Sequence, residues 1–200
     1  MAIMSHEIRT PMNGVLGMAT LLQYTDLTEK QQEYVKIIRS SGDNLLTIIN
    51  DILDFSKIES GKLNLEEQSF DLLDSITTVL DLFQFQIQEK NLKVSYDWDP
   101  STPQYIKGDV TRIRQVLMNL IGNAIKFTEK GEIKLSVFGE NLDAEYYQND
   151  STNLETKYEI KFAIEDTGIG IPVNRQNRLF FPFSQVDAST TRNYGGTGLG

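Results

Sequence analysis

Over the first sixty positions, rows of mostly apolar residues recur at spacings of four and three. Ile8, Met12, Val15, Ala19 and Leu22 form one row; Tyr34, Ile38, Ser41, Leu45, Ile48, Ile52 and Phe55 form another. This spacing keeps side chains on one stripe of an α-helix. It predicts a helix over 3–24 and a second from Thr28 to a stop at Gly61. Thr28 followed by Gln31 is a capping box that opens the second helix. The pair is a helical hairpin with a coiled-coil-type face. Two helices bury little surface alone, so a second copy completing a four-helix bundle is the natural partner.

From residue 62 the pattern changes. Asp71 opens a predicted helix to about Lys90, Val94, Tyr96 and Trp98 alternate as a strand, and a helix is expected over 109–127. Strands follow near 132–138 and 158–165, separated by the polar stretch 141–157, which reads as a surface loop. Mixed helices and strands of this kind predict an α+β fold with helices on one sheet face. The expected division is therefore a helical domain at 1–62 and an α/β sandwich at 63–200.

Composition narrows the function classes. Nineteen Lys and Arg stand against 28 Asp and Glu in 200 residues, a formal charge of −9. No basic stripe exists to neutralise a phosphate backbone, which argues against nucleic acid. Cysteine is absent, removing disulfides, thiolate zinc sites and a cysteine nucleophile together and fitting a reducing, cytoplasmic setting. No apolar run approaches the roughly 20 residues that cross a bilayer, and residues 1–20 lack a signal-peptide core. No membrane contact is expected from this segment.

The single histidine, His6, falls about 160° from the apolar seam of the first helix at about 100° per residue. It should stand in water. Near pH 7 its ring is mostly neutral, so a nitrogen lone pair is available as nucleophile. Glu7 beside it can take the other ring proton and stabilise the developing imidazolium. Thr10, one turn on, can hydrogen-bond a water. Pro11 removes a backbone donor and should bend the helix just below the histidine.

The helix at 109–127 carries a polar stripe of Arg112, Gln115, Asn119, Asn123 and Lys126, with Ile113, Val116, Leu117, Leu120, Ile121 and Ala124 over most of the remainder. Asparagines one turn apart are poor helix formers for a merely solvated face. An amide oxygen is a hard ligand that suits Mg²⁺, and a nearby lysine suits phosphate. After the strand Ile160, Phe162, Ile164 comes Asp166-Thr-Gly168-Ile-Gly170-Ile-Pro172, where a strand-end carboxylate can accept an exocyclic amine and glycines allow close backbone approach. Gly195 to Gly200 is a second glycine cluster of the kind whose N–H groups cradle phosphates. Neither cluster is a Walker loop or a dinucleotide fingerprint.

Together these features resemble the sensor histidine kinases of two-component signalling, over nearly the whole chain. Ser5 to Gly14 (SHEIRTPMNG) looks like the phosphoacceptor H-box, in wording most similar to hybrid kinases with their own receiver domain. Asn119 to Thr128 (NLIGNAIKFT) looks like the N-box and Asp166 to Pro172 like the G1 box. Phe180-Phe181-Pro182-Phe183 resembles the F-box and Gly196 to Gly200 the G2 box.

The resemblance implies a dimerisation and histidine-phosphotransfer hairpin followed by an ATP-binding domain of the Bergerat fold. It implies ATP with Mg²⁺ as cofactors, His6 as phosphoacceptor, Glu7 as its base, and Thr10 positioning water for the reverse reaction. Asn123 would be the magnesium ligand, Lys126 a phosphate contact and Asp166 the acceptor of the adenine amine, with Gly168 and Gly170 shaping that pocket. Residues 173–195 would form an ATP lid, with Arg192 a γ-phosphate contact. Gly196, Thr197, Gly198 and Gly200 would close on the phosphates. Asn119 stands where gyrase and the heat-shock chaperone place a glutamate that activates water, so hydrolysis should be slow. The partners implied are a second copy and a response-regulator receiver domain, in cis or in trans. The family's chain extends beyond both ends of this one, so this stretch alone is expected to bind ATP weakly. A catalytically inactive dimerisation and phosphotransfer scaffold is the alternative on that ground.

Overall fold

The computed structural model describes residues 2–142, 156–177 and 179, the side chains of residues 2–6 aside. They fall into two compact units, one ending at Asn64 and the other beginning at Leu65.

The first unit is a pair of helices, α1 (Ala2–Leu22) and α2 (Glu29–Glu59). The Thr28 hydroxyl accepts the Gln31 N–H at 3.4 Å while the Gln31 side chain accepts the Thr28 N–H at 2.9 Å, the reciprocal capping box. At the other end Gly61 takes φ +63°, with Gly61 N–H donating to Ile58 and Lys62 N–H to Lys57. That is a Schellman motif, and glycine adopts its left-handed residue without a Cβ penalty. Pro11 lies inside α1, which remains one helix through it.

On α2 the residues that face α1 differ from the expected row, whereas on α1 the expected row supplies Met12 and Ala19. Val35 and Gly42 are the buried positions of α2, and a Cβ on Gly42 would lie 2.6 Å from Leu16 Cδ2. This row lies about a quarter turn round α2 from the Tyr34–Ile38–Leu45 row. A glycine carries no hydrophobic signal, yet it is what lets the helices approach. On α1, Ala19 is buried and Met12 half-buried. Ile8, Val15 and Leu22, with Tyr34, Ile38 and Leu45, remain 41–51% exposed. The hairpin thus covers only part of a wider apolar arc.

The second unit holds two sheets. Strands β1 (Gln68–Asp71) and β3 (Tyr105–Gly108) pair antiparallel, Gln68 opposite Gly108. The larger sheet has the order β2-β4-β5, with β2 (Lys93–Trp98) parallel to β4 (Glu132–Asn141) and β5 (Tyr158–Asp166) antiparallel to it. Along β4, Ile133, Leu135 and Val137 alternate onto the buried face. Against them pack Leu72, Ile76 and Val79 of α3 (Leu72–Leu82) and Leu117, Ile121, Ala124 and Ile125 of α5 (Val110–Phe127). This is the expected layer of helices on one sheet face.

Two readings of the sequence are corrected. The helix expected from Asp71 to Lys90 is broken at Phe83, giving α3 and the short α4 (Gln84–Glu89). Phe83 packs against the core, its ring tip 3.3 Å from where a Gly122 Cβ would stand. Strands β1 and β3 were not expected, because four residues each are too few to show alternation. A helical turn, α6 (Val173–Gln176), follows the Asp166 loop. Most of the polar stretch 141–157 lies outside the described residues.

Candidate functional site

Helix α5 carries the polar stripe. Its N-cap Asp109 accepts Arg112 N–H at 2.9 Å through Oδ1 and Glu66 N–H at 3.1 Å through Oδ2. These backbone hydrogen bonds hold the Asp109 carboxyl below the usual carboxylate range. With Leu117, Ile121, Ala124 and Ile125 turned into the core, helical geometry leaves Asn119, Asn123 and Lys126 together on the outer side. Asn123 Nδ2 donates to Asn119 Oδ1 at 3.3 Å, so the Asn123 oxygen is the atom turned to other work. Lys126 Nζ lies 5.0 Å over the Phe127 ring, and partial burial lowers its pKa from the ordinary lysine value.

Where β5 ends, the chain doubles back on α5. Asp166 Oδ1 accepts Gly168 N–H at 2.9 Å and the Thr128 hydroxyl at 3.5 Å. Ile169 N–H donates to the Phe127 carbonyl at 3.3 Å. Thr167 is pinned to the neighbouring strand: its N–H donates to Glu132 O at 3.2 Å, and its hydroxyl accepts Glu132 N–H at 3.0 Å. The loop is therefore anchored by its own backbone, with one carboxylate oxygen of Asp166 committed and the other available to an amine. Gly170 sits at φ +66°, a left-handed turn that suits glycine.

Asn119, Asn123, Lys126, Asp166, Gly168 and Gly170 thus belong to one unit, on the α5 face and the β5 loop that packs on its end. The donor set fits a hard cation held by few protein atoms. Among the described residues no group of three His, Cys, Asp or Glu could hold a metal, whereas an asparagine oxygen beside anionic phosphates matches magnesium, which keeps much of its water. Thr128, the last residue of the N-box-like run, and Lys90, which sequence reasoning missed, also belong here: Lys90 Nζ donates to the carbonyls of Ile125, Lys126 and Thr128. No local pattern could have flagged Lys90, which acts across more than thirty positions.

In the hairpin unit the backbone of His6 is helical within α1, and Glu7 and Thr10 are exposed on the same helix. Arg9 Nη2 donates to Asn50 Oδ1 at 3.0 Å, tying the two helices together one turn from His6. Arg192, Gly196, Thr197, Gly198 and Gly200, the Phe180–Phe183 segment and most of the expected lid lie outside the described residues.

Comparisons with known proteins address both units. Residues 1–61 match the family described as His Kinase A (phospho-acceptor) domain. Residues 108–200 match the one described as histidine kinase-, DNA gyrase B-, and HSP90-like ATPase. Hybrid signal transduction histidine kinase L of Dictyostelium discoideum is 44% identical over 200 residues, covering 100% of this chain and 11% of that protein. The signal transduction histidine-protein kinase BarA of Escherichia coli K12 is 44% identical, covering 100% of the chain and 21% of the protein. Full-length ShkA in complex with AMPPNP superposes with a TM-score of 0.74 at 33% identity, over 99% of this chain and 38% of that one. Histidine kinase ThkA in complex with response regulator TrrA gives 0.51 at 27% identity, over 96% and 52%. The chain spans about a tenth to a fifth of the length of these two curated relatives.

Proposed function

The chain belongs to the sensor histidine kinases, and from that premise we propose that it is the catalytic and phosphoacceptor part of an ATP-dependent protein-histidine kinase. The observation that carries the proposal is the co-occurrence of a helix bearing His6 with a separate unit in which the Asn119–Asn123–Lys126 face adjoins the Asp166 loop. A phosphoacceptor and a nucleotide site on one chain are the two halves of one phosphoryl transfer.

Within that reading each residue has a defined task. The Asp166 oxygen not used by Gly168 accepts the adenine amine, and the loop glycines let the base approach. The Asn123 oxygen holds Mg²⁺, which when bound supplies charge neutralisation at the phosphates. Lys126 adds positive charge on the same face, and transfer of this kind depends on positioning and electrostatics more than on covalent help. Asn119 cannot serve as a base for water, which protects the nucleotide from hydrolysis. Arg192 and the Gly196, Thr197, Gly198 and Gly200 segment complete the phosphate contacts. At the hairpin, Glu7 takes a ring proton as the other ring nitrogen of His6 accepts the phosphoryl group. Thr10 orients water for the reverse reaction.

The partners follow from the same reading. A second copy covers the apolar arc of the hairpin, which includes a groove of about 460 Å³ lined by Val15, Met18, Leu22 and Ile38 among others. An aspartate of a response-regulator receiver domain takes the phosphoryl group from His6, in cis or in trans. Residues 1–62 and 63–200 act as phosphotransfer and catalytic domains, at a cytoplasmic site. Among the described residues no helix is long and apolar enough to cross a membrane.

The direct test supplies γ-labelled ATP and Mg²⁺ to the full-length protein carrying this chain. Acid-labile label is expected on His6 and none on a His6→Gln protein. A full-length protein that incorporates no label would leave only the phosphotransfer hairpin.

A further inference from the structure

The end of α5 is closed in an unusual way. A helix leaves its last carbonyls without intrahelical donors, and they are ordinarily met by a glycine turn or by water. Here the C-cap is Thr128 in an extended conformation, and its N–H serves Ala124 at 3.1 Å. The Phe127 carbonyl is taken by Ile169 N–H from the β5 loop. Those of Ile125, Lys126 and Thr128 all accept from one group, the Lys90 ammonium, at 2.8, 3.2 and 3.2 Å. An ammonium has three protons, and these bonds use all of them.

A cation at a helix C-terminus stabilises any helix through the macrodipole. Lys90 differs in what lies on the far side of its acceptors. Thr128, fully buried, turns its carbonyl to Lys90 and its hydroxyl to Asp166 Oδ1. The adjacent Phe127 carbonyl holds Ile169, and Gly168 has no room to move toward it, since an added Cβ would clash with that oxygen. The ammonium, the end of α5 and the loop form one continuous chain of hydrogen bonds. We propose that Lys90 is a positioning residue that holds the Asp166–Gly168 loop, and with it the adenine end of the nucleotide site, through the backbone of Phe127 and Thr128. The second half of that statement rests on the reading of Asp166 given above.

The test, in the full-length protein carrying this chain, compares Lys90→Met, which removes the donors, with Lys90→Arg, which restores a cation and several donors. Lys90→Gln substitutes if the methionine protein does not fold. Val79→Ala, in the core far along the sequence from the loop, serves as a variant of lowered melting temperature without a direct link to the site. Amide exchange is read at Gly168 and Ile169, well below every melting temperature. Exchange at both is expected to quicken about tenfold in Lys90→Met through local opening, and to stay near the parent rate in Lys90→Arg and Val79→Ala. Affinity for MgADP, measured by calorimetry, should fall about tenfold in Lys90→Met alone, the equivalent of about 1.4 kcal/mol. Equal exchange in Lys90→Met and Val79→Ala would overturn the proposal, as would an arginine that fails to restore it. If the parent binds no adenine nucleotide while the two amides loosen as expected, Lys90 does hold the loop and the reading of Asp166 is what fails.

Discussion

Gly168 is wedged against the end of α5 so closely that a Cβ on it would collide with the Phe127 carbonyl and lie 2.7 Å from Asp166 Oδ1. Both obstacles are fixed, one by the helix backbone and one by the Gly168 N–H and Thr128 hydroxyl that bond the same oxygen. Gly168→Ala must therefore displace the loop. The expected cost is about 1–3 kcal/mol of stability, as for overpacked sites, with nucleotide affinity reduced about tenfold or more. Gly170→Ala is the contrasting case, with φ +66° but nothing among the described residues within 4 Å of an added Cβ. It should cost about 1–2 kcal/mol from the left-handed backbone alone and change affinity much less. Urea unfolding paired with calorimetric titration distinguishes them; equal losses of affinity would contradict the steric argument.

What the sequence made legible was whatever is local. The capping box at Thr28, the stop at Gly61, and the helix starts at Asp71 and Asp109 are all settled within five residues of chain, and each forms as expected. The α5 stripe was readable for the same reason, because residues three and four apart share a face. The break at Phe83 was not, since the Phe83 ring packs against Gly122 of α5, a contact remote in sequence. The place of Gly42 in the hairpin was not legible, because the glycine that lies close to Leu16 has no hydrophobic signature. Lys90 was invisible because its acceptors lie 35 to 38 positions away.

The exposed apolar arc yields a prediction about assembly. Val15 and Ile38 are 49% and 44% exposed, while Ala19 and Val35, which hold α1 to α2, are buried. A Val15→Lys, Ile38→Lys double variant should keep its helicity, because both side chains are about half exposed and the buried Ala19, Val35 and Gly42 are kept. It should sediment as a monomer, since two charges at the centre of a mostly apolar interface would be desolvated without partners. Persistent dimers in that variant would place the interface on another surface.

Lys126 sets a pH dependence of opposite sign for folding and for binding. Burial lowers its folded pKa below the unfolded value of 10.5. Between those two values the unfolded chain holds the extra proton, so stability rises with pH across the window. Anionic phosphate favours the charged ammonium, so affinity for MgATP should fall across the same alkaline window as that charge is lost. Lys126→Met should flatten both profiles and start from the weaker binding. Chemical denaturation and nucleotide titration at matched pH values check this, and an affinity that holds steady while stability climbs would remove Lys126 from the phosphate site.

Asp109 governs the acid side. Both of its oxygens accept backbone N–H groups, from Arg112 at the start of α5 and from Glu66 ahead of β1, and these bonds depress its folded pKa below 3.8. A depressed carboxyl stabilises the fold fully above its unfolded pKa, and the contribution is lost as pH falls through the folded value. Asp109→Asn keeps one oxygen and remains a good helix cap. Its amide nitrogen, however, meets the Glu66 N–H donor to donor, so the link to the segment before β1 is broken. The variant should melt a few degrees below the parent at neutral pH. That gap should narrow as pH drops through the acid range below 3.8 and the parent's carboxyl is protonated. Thermal melts across a pH series measure it, and a gap that stays constant into acid would show that the charge of Asp109 contributes nothing beyond the shape of the cap.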